Sequence, residues 1–290
     1  MKTDNKKRRI RAGAGFLAPS LAGVCIFYVI PFFIVIWYSV VDSPIQGNFV
    51  GLDNFAAVLH NSAFLQAARN TAVFSVIAVP LSVGLSLLMA VLLEMKIPYR
   101  NTLRTLFLTP LMVPTASVVL IWQVFFSYNG AMNDFLIKLG AGRVEWFESS
   151  YSQIVVILLF LWKNLGYDMV LFLAALSDIP QDYLEVADLD GATAWQKFRY
   201  IKLRYLSPAI LFVTVLSLIN SFRVFREVYL LTGDYPYDTL YMLQHFMNNT
   251  FHSMDYQKLS SAAVLMFLVM FAVIGVLFKA EERYGKDVEG

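Results

Sequence analysis

Asn70–Leu93 reads NTAVFSVIAVPLSVGLSLLMAVLL, a run without one charged side chain. A bilayer core of about 30 Å is crossed by about 20 mostly apolar residues in an α-helix, and this stretch meets that requirement. Working outward, uncharged runs recur from Ala12 to Val41, from Thr105 to Asn133 and from Leu259 to Phe278. Tyr205–Phe222 is slightly shorter, and Ser149–Ser177 is long enough but holds Lys163 and Asp168. The expectation is an all-α, polytopic integral membrane protein. It has one transmembrane domain over residues 1–290, with six spans near 14–41, 70–94, 104–128, 152–176, 205–231 and 259–279.

Composition agrees. Hydrophobic residues make up 58% of the 290 and charged residues 15%, with a mean hydropathy of +0.59. A soluble domain carries roughly 25% charged residues to cover its surface, so an ordinary soluble enzyme is excluded, as is a disordered chain. A net charge of +2 is too small to imply nucleic acid as a partner. The single cysteine, Cys25, rules out an intrachain disulfide and a cysteine-based metal cluster; in its apolar run it is expected to be buried packing. The sequence contains neither GxxxxGK[ST] nor HExxH, so ATP binding of that kind, a metal site and any resident cofactor are not expected. His60, His245 and His252 read as solvent-side loop residues.

The basic Met1–Arg11 segment resembles the start of a signal peptide, but the apolar run behind it exceeds the 7–15 residues of such a region. It reads as a retained first helix. With that end in the cytoplasm, sixteen of the 23 lysines and arginines fall on inside segments and four outside, with Lys163, Arg223 and Arg226 in or near spans. Membrane proteins keep basic loops cytoplasmic, so both termini are expected inside a multi-pass protein of the cytoplasmic membrane.

One cytoplasmic loop is more than a linker. Asp178–Pro208 reads DIPQDYLEVADLDGATAWQKFRYIKLRYLSP. Asp178 with Gln181 suggests a helix start and Pro180 a first turn. Tyr183, Leu184, Ala187 and Leu189 form an apolar side, and Gly191 stops the helix by taking a positive φ. Trp195 and Phe198 then share a face of a second short helix. The pair makes a compact knob, either lying on the membrane surface or docking into a cleft of another protein.

Glu185-Val-Ala-Asp-Leu-Asp-Gly191, followed by Ile201, Leu203 and Pro208, resembles the EAA loop of permease subunits in bacterial ABC importers. The surrounding text resembles the first of the two permeases in the maltose-type carbohydrate branch. Gly51-Leu-Asp-Asn-Phe55, Arg69-Asn-Thr71, Pro110 to Pro114, Ile121-Trp122, Leu173-Ala-Ala-Leu176 with Ile179-Pro180, and Phe222-Arg-Val-Phe225 through Leu231-Thr-Gly233 all take part. The chain departs from the family at Val186, the second residue of the triad. It also departs at Arg204, where proline is usual and whose absence implies a looser exit from the second helix, and at Gly233-Asp-Tyr-Pro236. The resemblance implies a homologous second permease, two copies of an ABC ATPase, an extracytoplasmic solute-binding protein and a carbohydrate substrate. It implies that Glu185, Ala187, Asp190, Gly191, Ile201, Leu203 and Pro208 couple to the ATPase. A glycerol phosphate or polyol permease of the same branch is the nearest alternative. A membrane enzyme would need converging carboxylates or histidines, and a plain anchor would not need charges inside a span.

Charged side chains within a span face the bundle interior or water. Lys163 and Asp168 lie five residues apart, roughly 140° around a helix, too far for a good pair. Gly166 between them would let the helix open onto a cavity; the alternative is snorkelling or pairing elsewhere. Thr214, Ser217 and Ser221 share one helix face beside Asn220, fit for helix–helix hydrogen bonds or for a ligand. The resemblance makes Trp162, Lys163, Asn164, Gly166, Tyr167, Asp168, Ser217, Asn220 and Ser221 substrate-pathway candidates. Arg223 and Glu227, four apart, are expected to neutralise each other as outer-end scaffolding. Pro110 and Pro114 remove two backbone donors within one span and are expected to bend it.

Overall fold

A computed structural model describes residues 17–95 and 98–285. The basic segment Met1–Arg11, the start of the first span, Lys96 and Lys286 lie outside the described residues. In chain order the helices are α1 (Leu17–Ser39), α2 (Asp53–Leu59), α3 (Ser62–Glu94), α4 (Arg100–Met112), α5 (Thr115–Phe125) and α6 (Ala131–Lys138). Then come α7 (Ser152–Ser177), α8 (Gln181–Leu189), α9 (194–205, π-helical in its middle) and α10 (Ser207–Arg223). Last are α11 (Phe225–Thr232), α12 (Leu243–His252) and α13 (Tyr256–Gly285). The all-α, polytopic expectation holds. Five helices or helix pairs are long and apolar enough to cross a membrane, and six if α4 and α5 together make one bent span. Helices suit this solvent because lipid offers no partner for backbone N–H and C=O groups, which must bond within the segment.

The described residues fall into two compact units, 17–61 with 247–269 and 62–246 with 270–285. In the first, Asn54 donates to the Ser39 and Val41 carbonyls at 3.1 and 2.8 Å and ties down the end of α1. Ser261 also donates to the Ser39 carbonyl, and Phe32 meets Phe267 edge-on at 5.0 Å. Cys25, expected to be buried, is exposed. None of α1's most apolar window is buried within the chain, because lipid solvates such side chains without a protein partner.

The second unit is organised around α7, which packs along α3 and against α4 and α10. Small polar side chains let these helices approach closely and bond to one another. Asp168, fully buried, accepts from Ser82 of α3 at 2.8 Å and from Ser217 of α10 at 2.9 Å through one oxygen, so a single carboxylate joins three helices. Ser75 and Ser221 bond to each other one turn or more away at 2.9 Å.

The proline pair does more than bend a helix. Pro110 lies inside α4, Val113 is extended and Pro114 caps α5, and the two helix axes meet at 97°. Gly166 does not open α7, which runs unbroken to Ser177. Instead it brings the α4 backbone close, since a Cβ at Gly166 would stand 1.9 Å from the Phe107 carbonyl oxygen. A different break falls at Val224, between α10 and α11, with neither proline nor glycine to announce it.

Candidate functional site

The ends of α10 and α11, which meet at Val224 within one span from Ser207 to Thr232, lie beside the middle of α7. A cavity of about 430 Å³ opens there, lined by polar Lys163, Asn164, Asn220, Arg223, Arg226, Glu227 and Gln244 with apolar Leu111, Leu159, Phe160 and Val224. Asn220 donates to the Asn164 side-chain oxygen at 3.1 Å, and Asn164 in turn donates to the Phe160 carbonyl at 2.8 Å. Lys163 forms an ion pair with Glu227 and reaches Thr115, at the start of α5, at 3.4 Å. The α4–α5 bend thus serves the site by bringing Thr115 to the lysine.

Of the nine pathway candidates, the cavity gathers Lys163, Asn164 and Asn220. Trp162 and Gly166 line a separate apolar recess with Phe107 and Pro110. Tyr167 is half-exposed and absent from both linings. Asp168, Ser217 and Ser221 are buried in the helix contacts described above. The expected Arg223–Glu227 pair does not form: Glu227 pairs instead with Lys163, 64 residues away in sequence. Both residues line the cavity rather than serving as scaffolding. Arg226 and Gln244 were not among the candidates; Arg226 had a signal, since it adds a cation beside an uncharged span.

His245 corrects a further expectation. It is fully buried rather than solvent-facing, packed edge-on against Phe225 at 4.6 Å, and its Nδ1 accepts from the Met242 N–H at 3.3 Å at the start of α12. Burial pushes its pKa down from 6.5 to about 4, only partly opposed by the negative charge of Asp234. The ring is therefore neutral behind the cavity wall that Gln244 forms. Its lowered pKa means that the unfolded chain takes up a proton near pH 6.5 while the folded chain resists until about 4. Stability is full above pH 6.5 and is lost as pH falls toward 4, by up to about 3 kcal/mol. Thermal unfolding of His245→Gln should lose most of this pH dependence; an unchanged profile would assign it to other groups.

Farther along α11, a second cavity of about 760 Å³ is framed by Phe126, Tyr128, Trp146, Tyr235 and Tyr237, with Glu145 and Glu148 at its edge. Trp146 is held by its Nε1, which donates to the buried Asn133 side chain at 3.0 Å.

The 178–208 loop forms two short helices. Asp178 ends α7, and Pro180, not Asp178, is the residue before α8, because the residue preceding a proline avoids helical geometry. Gly191 takes φ +74° and closes α8: its N–H bonds the Asp188 carbonyl at 3.1 Å, and the Ala192 N–H bonds that of Ala187 at 2.9 Å. This is the double-bonded glycine stop expected of a helix C-terminus. Thr193 and Gln196 cap α9 reciprocally, a T-x-x-Q signal legible in the sequence. Lys197–Asp188 at 2.5 Å joins the helices, and Lys202–Glu94 at 2.6 Å ties the knob to α3. Arg204 continues the helical ladder, with the Leu206 N–H on the Lys202 carbonyl at 2.9 Å. Ala187 is buried, Glu185, Asp190, Gly191 and Pro208 are exposed, and Ile201 and Leu203 are half-buried. Leu189 and Trp195 stand 88% and 69% exposed outside any span, where water alone would penalise them.

The chain is similar to known proteins. A lactose transport system permease of Rhizobium radiobacter is 29% identical over 92% of this chain and 93% of its own length. A trehalose/maltose transport system permease of Thermococcus litoralis is 30% identical over 97% of each. A solved bacterial alginate ABC transporter, in complex with an alginate pentasaccharide-bound periplasmic protein, shares the fold at a TM-score of 0.84 and 21% identity, covering 97% of this chain and 98% of its own. Residues 82–283 match the family described as binding-protein-dependent transport system inner membrane component, and the chain belongs to that family.

Proposed function

We propose that this permease subunit forms part of the path by which a carbohydrate, an oligosaccharide or glycoside, enters a bacterial cell. The carrying observation is the cavity at the α10–α11 break, where amides and charges converge among membrane helices. Such groups are costly in lipid and mark polar pathways, and about 430 Å³ is the size of an ordinary ligand site. Asn164, Asn220 and Gln244 suit sugar hydroxyls. The aromatic-rich second cavity lies farther along α11 and suits the outer side, where a solute-binding protein would deliver the sugar. The relatives named for lactose and for trehalose and maltose support the substrate class.

A second, homologous permease would complete the path, and two copies of an ATPase would drive it. The knob formed by α8 and α9 would dock into the ATPase, which gives Leu189 and Trp195 a partner. The excess of lysine and arginine on the knob's side supports a cytoplasmic position for the knob and both termini. The test is ATP-dependent uptake by the reconstituted transporter. Each lost hydrogen bond is worth about 0.5–1.5 kcal/mol, so Asn164→Ala and Asn220→Ala should each reduce uptake by up to about tenfold with assembly intact. Unchanged transport in the double variant would return both residues to plain packing.

A further inference from the structure

The central cavity is unevenly charged. Its lining holds three cationic side chains, Lys163, Arg223 and Arg226, against one carboxylate, Glu227. Lys163 and Glu227 neutralise each other. Arg223 and Arg226 take part in no ion pair or hydrogen bond among the described residues. They flank Val224, one closing α10 and the other in the first turn of α11, and both line the cavity.

Both arginines are exposed within this chain, and a neutral sugar in the cavity would offer neither guanidinium an anionic partner. A guanidinium presents a planar fork of donors that matches a carboxylate or a phosphate. Beside the forks stand the Asn164–Asn220 amide pair and Gln244, which serve hydroxyls.

We propose that the central cavity selects an anionic saccharide, its carboxylate or phosphate held by Arg223 and Arg226 and its hydroxyls by the amides. The proposal rests on the reading of the cavity as a carbohydrate path. It is tested on the intact transporter with its own partner subunits, by calorimetric binding of three probes: trigalacturonate, glucose 6-phosphate and neutral maltotriose. An anionic probe is expected to bind at least about tenfold more tightly than maltotriose, with the preference shrinking as salt rises. Tighter trigalacturonate identifies a uronate, and tighter glucose 6-phosphate a phosphorylated sugar.

In Arg223→Gln with Arg226→Gln the anion preference should vanish while maltotriose binding persists. Arg226→Lys, which keeps the charge, should retain part of the preference and guards against misreading a folding defect. Equal or tighter binding of maltotriose by the native transporter would overturn the anion selection and leave the carbohydrate path standing. Binding of none of the three would overturn the proposal together with the saccharide reading beneath it.

Discussion

Gly166→Ala is expected to cripple the packing of α4 against α7. The added methyl would lie 1.9 Å from the Phe107 carbonyl oxygen and 2.5 Å from its carbon, and these are backbone atoms that no rotamer change moves aside. Either α4 withdraws or α7 distorts. Overpacking a tight contact costs about 1–3 kcal/mol and occasionally more; a clash with backbone belongs at the upper end. The consequence reaches the site, since α4 leads through the 97° bend into α5, whose Thr115 touches Lys163. Thermal unfolding of the purified transporter should show a large loss of stability, and uptake should fall with it. Gly84→Ala in α3 is the control: nothing lies within 4 Å of a Cβ there, so it should behave as wild type. Equal stability of the two variants would mean that α4 and α7 are not in close backbone contact.

Gly191→Val is expected to abolish ATP-dependent uptake while the protein still inserts into the membrane. Here space is not the obstacle, because nothing lies within 4 Å of a Cβ. The backbone is: φ is +74°, and a β-branched residue held there is strained by about 1–3 kcal/mol. Relief would come from unwinding the two bonds that close α8 and tilting α9 away from it. If the knob is the coupling element, the ATPase then detaches or turns over without transport. Gly191→Asn, which tolerates left-handed geometry, should retain much of the activity. Copurification of the ATPase with Gly191→Val at normal uptake would remove coupling from this loop.

The two glycines differ in how far they could be read from the sequence. Gly191 follows an amphipathic helix and precedes a second one, and a helix stop is a local matter of backbone geometry, so its role was legible. Gly166 looked like a point where α7 would open, because the sequence around it does not show what lies against it. Only the fold brings Phe107 there. The charged residues divide the same way. That Lys163 and Asp168 face the interior follows from the cost of charge in lipid. Their partners do not follow: Glu227 is 64 residues from Lys163, and Ser82 and Ser217 are 86 and 49 residues from Asp168. His245 was misjudged for a related reason. A lone histidine in a polar stretch looks solvent-facing until Phe225 and Tyr241 close around it.

By itself the sequence determined that the chain is helical, crosses a membrane several times and carries two short helices joined at a glycine between two spans. Those features rest on apolar run length and short-range capping signals, all of which act within a few turns of helix. The tertiary structure decided which side chains share a cavity. Where the Ser207–Thr232 span packs against α7, Arg223, Arg226 and Glu227 come to line one cavity with Lys163 and Asn164. Contacts between distant segments depend on how helices cross, and the crossing is set by packing along whole helix faces rather than by any one residue's neighbours in the chain.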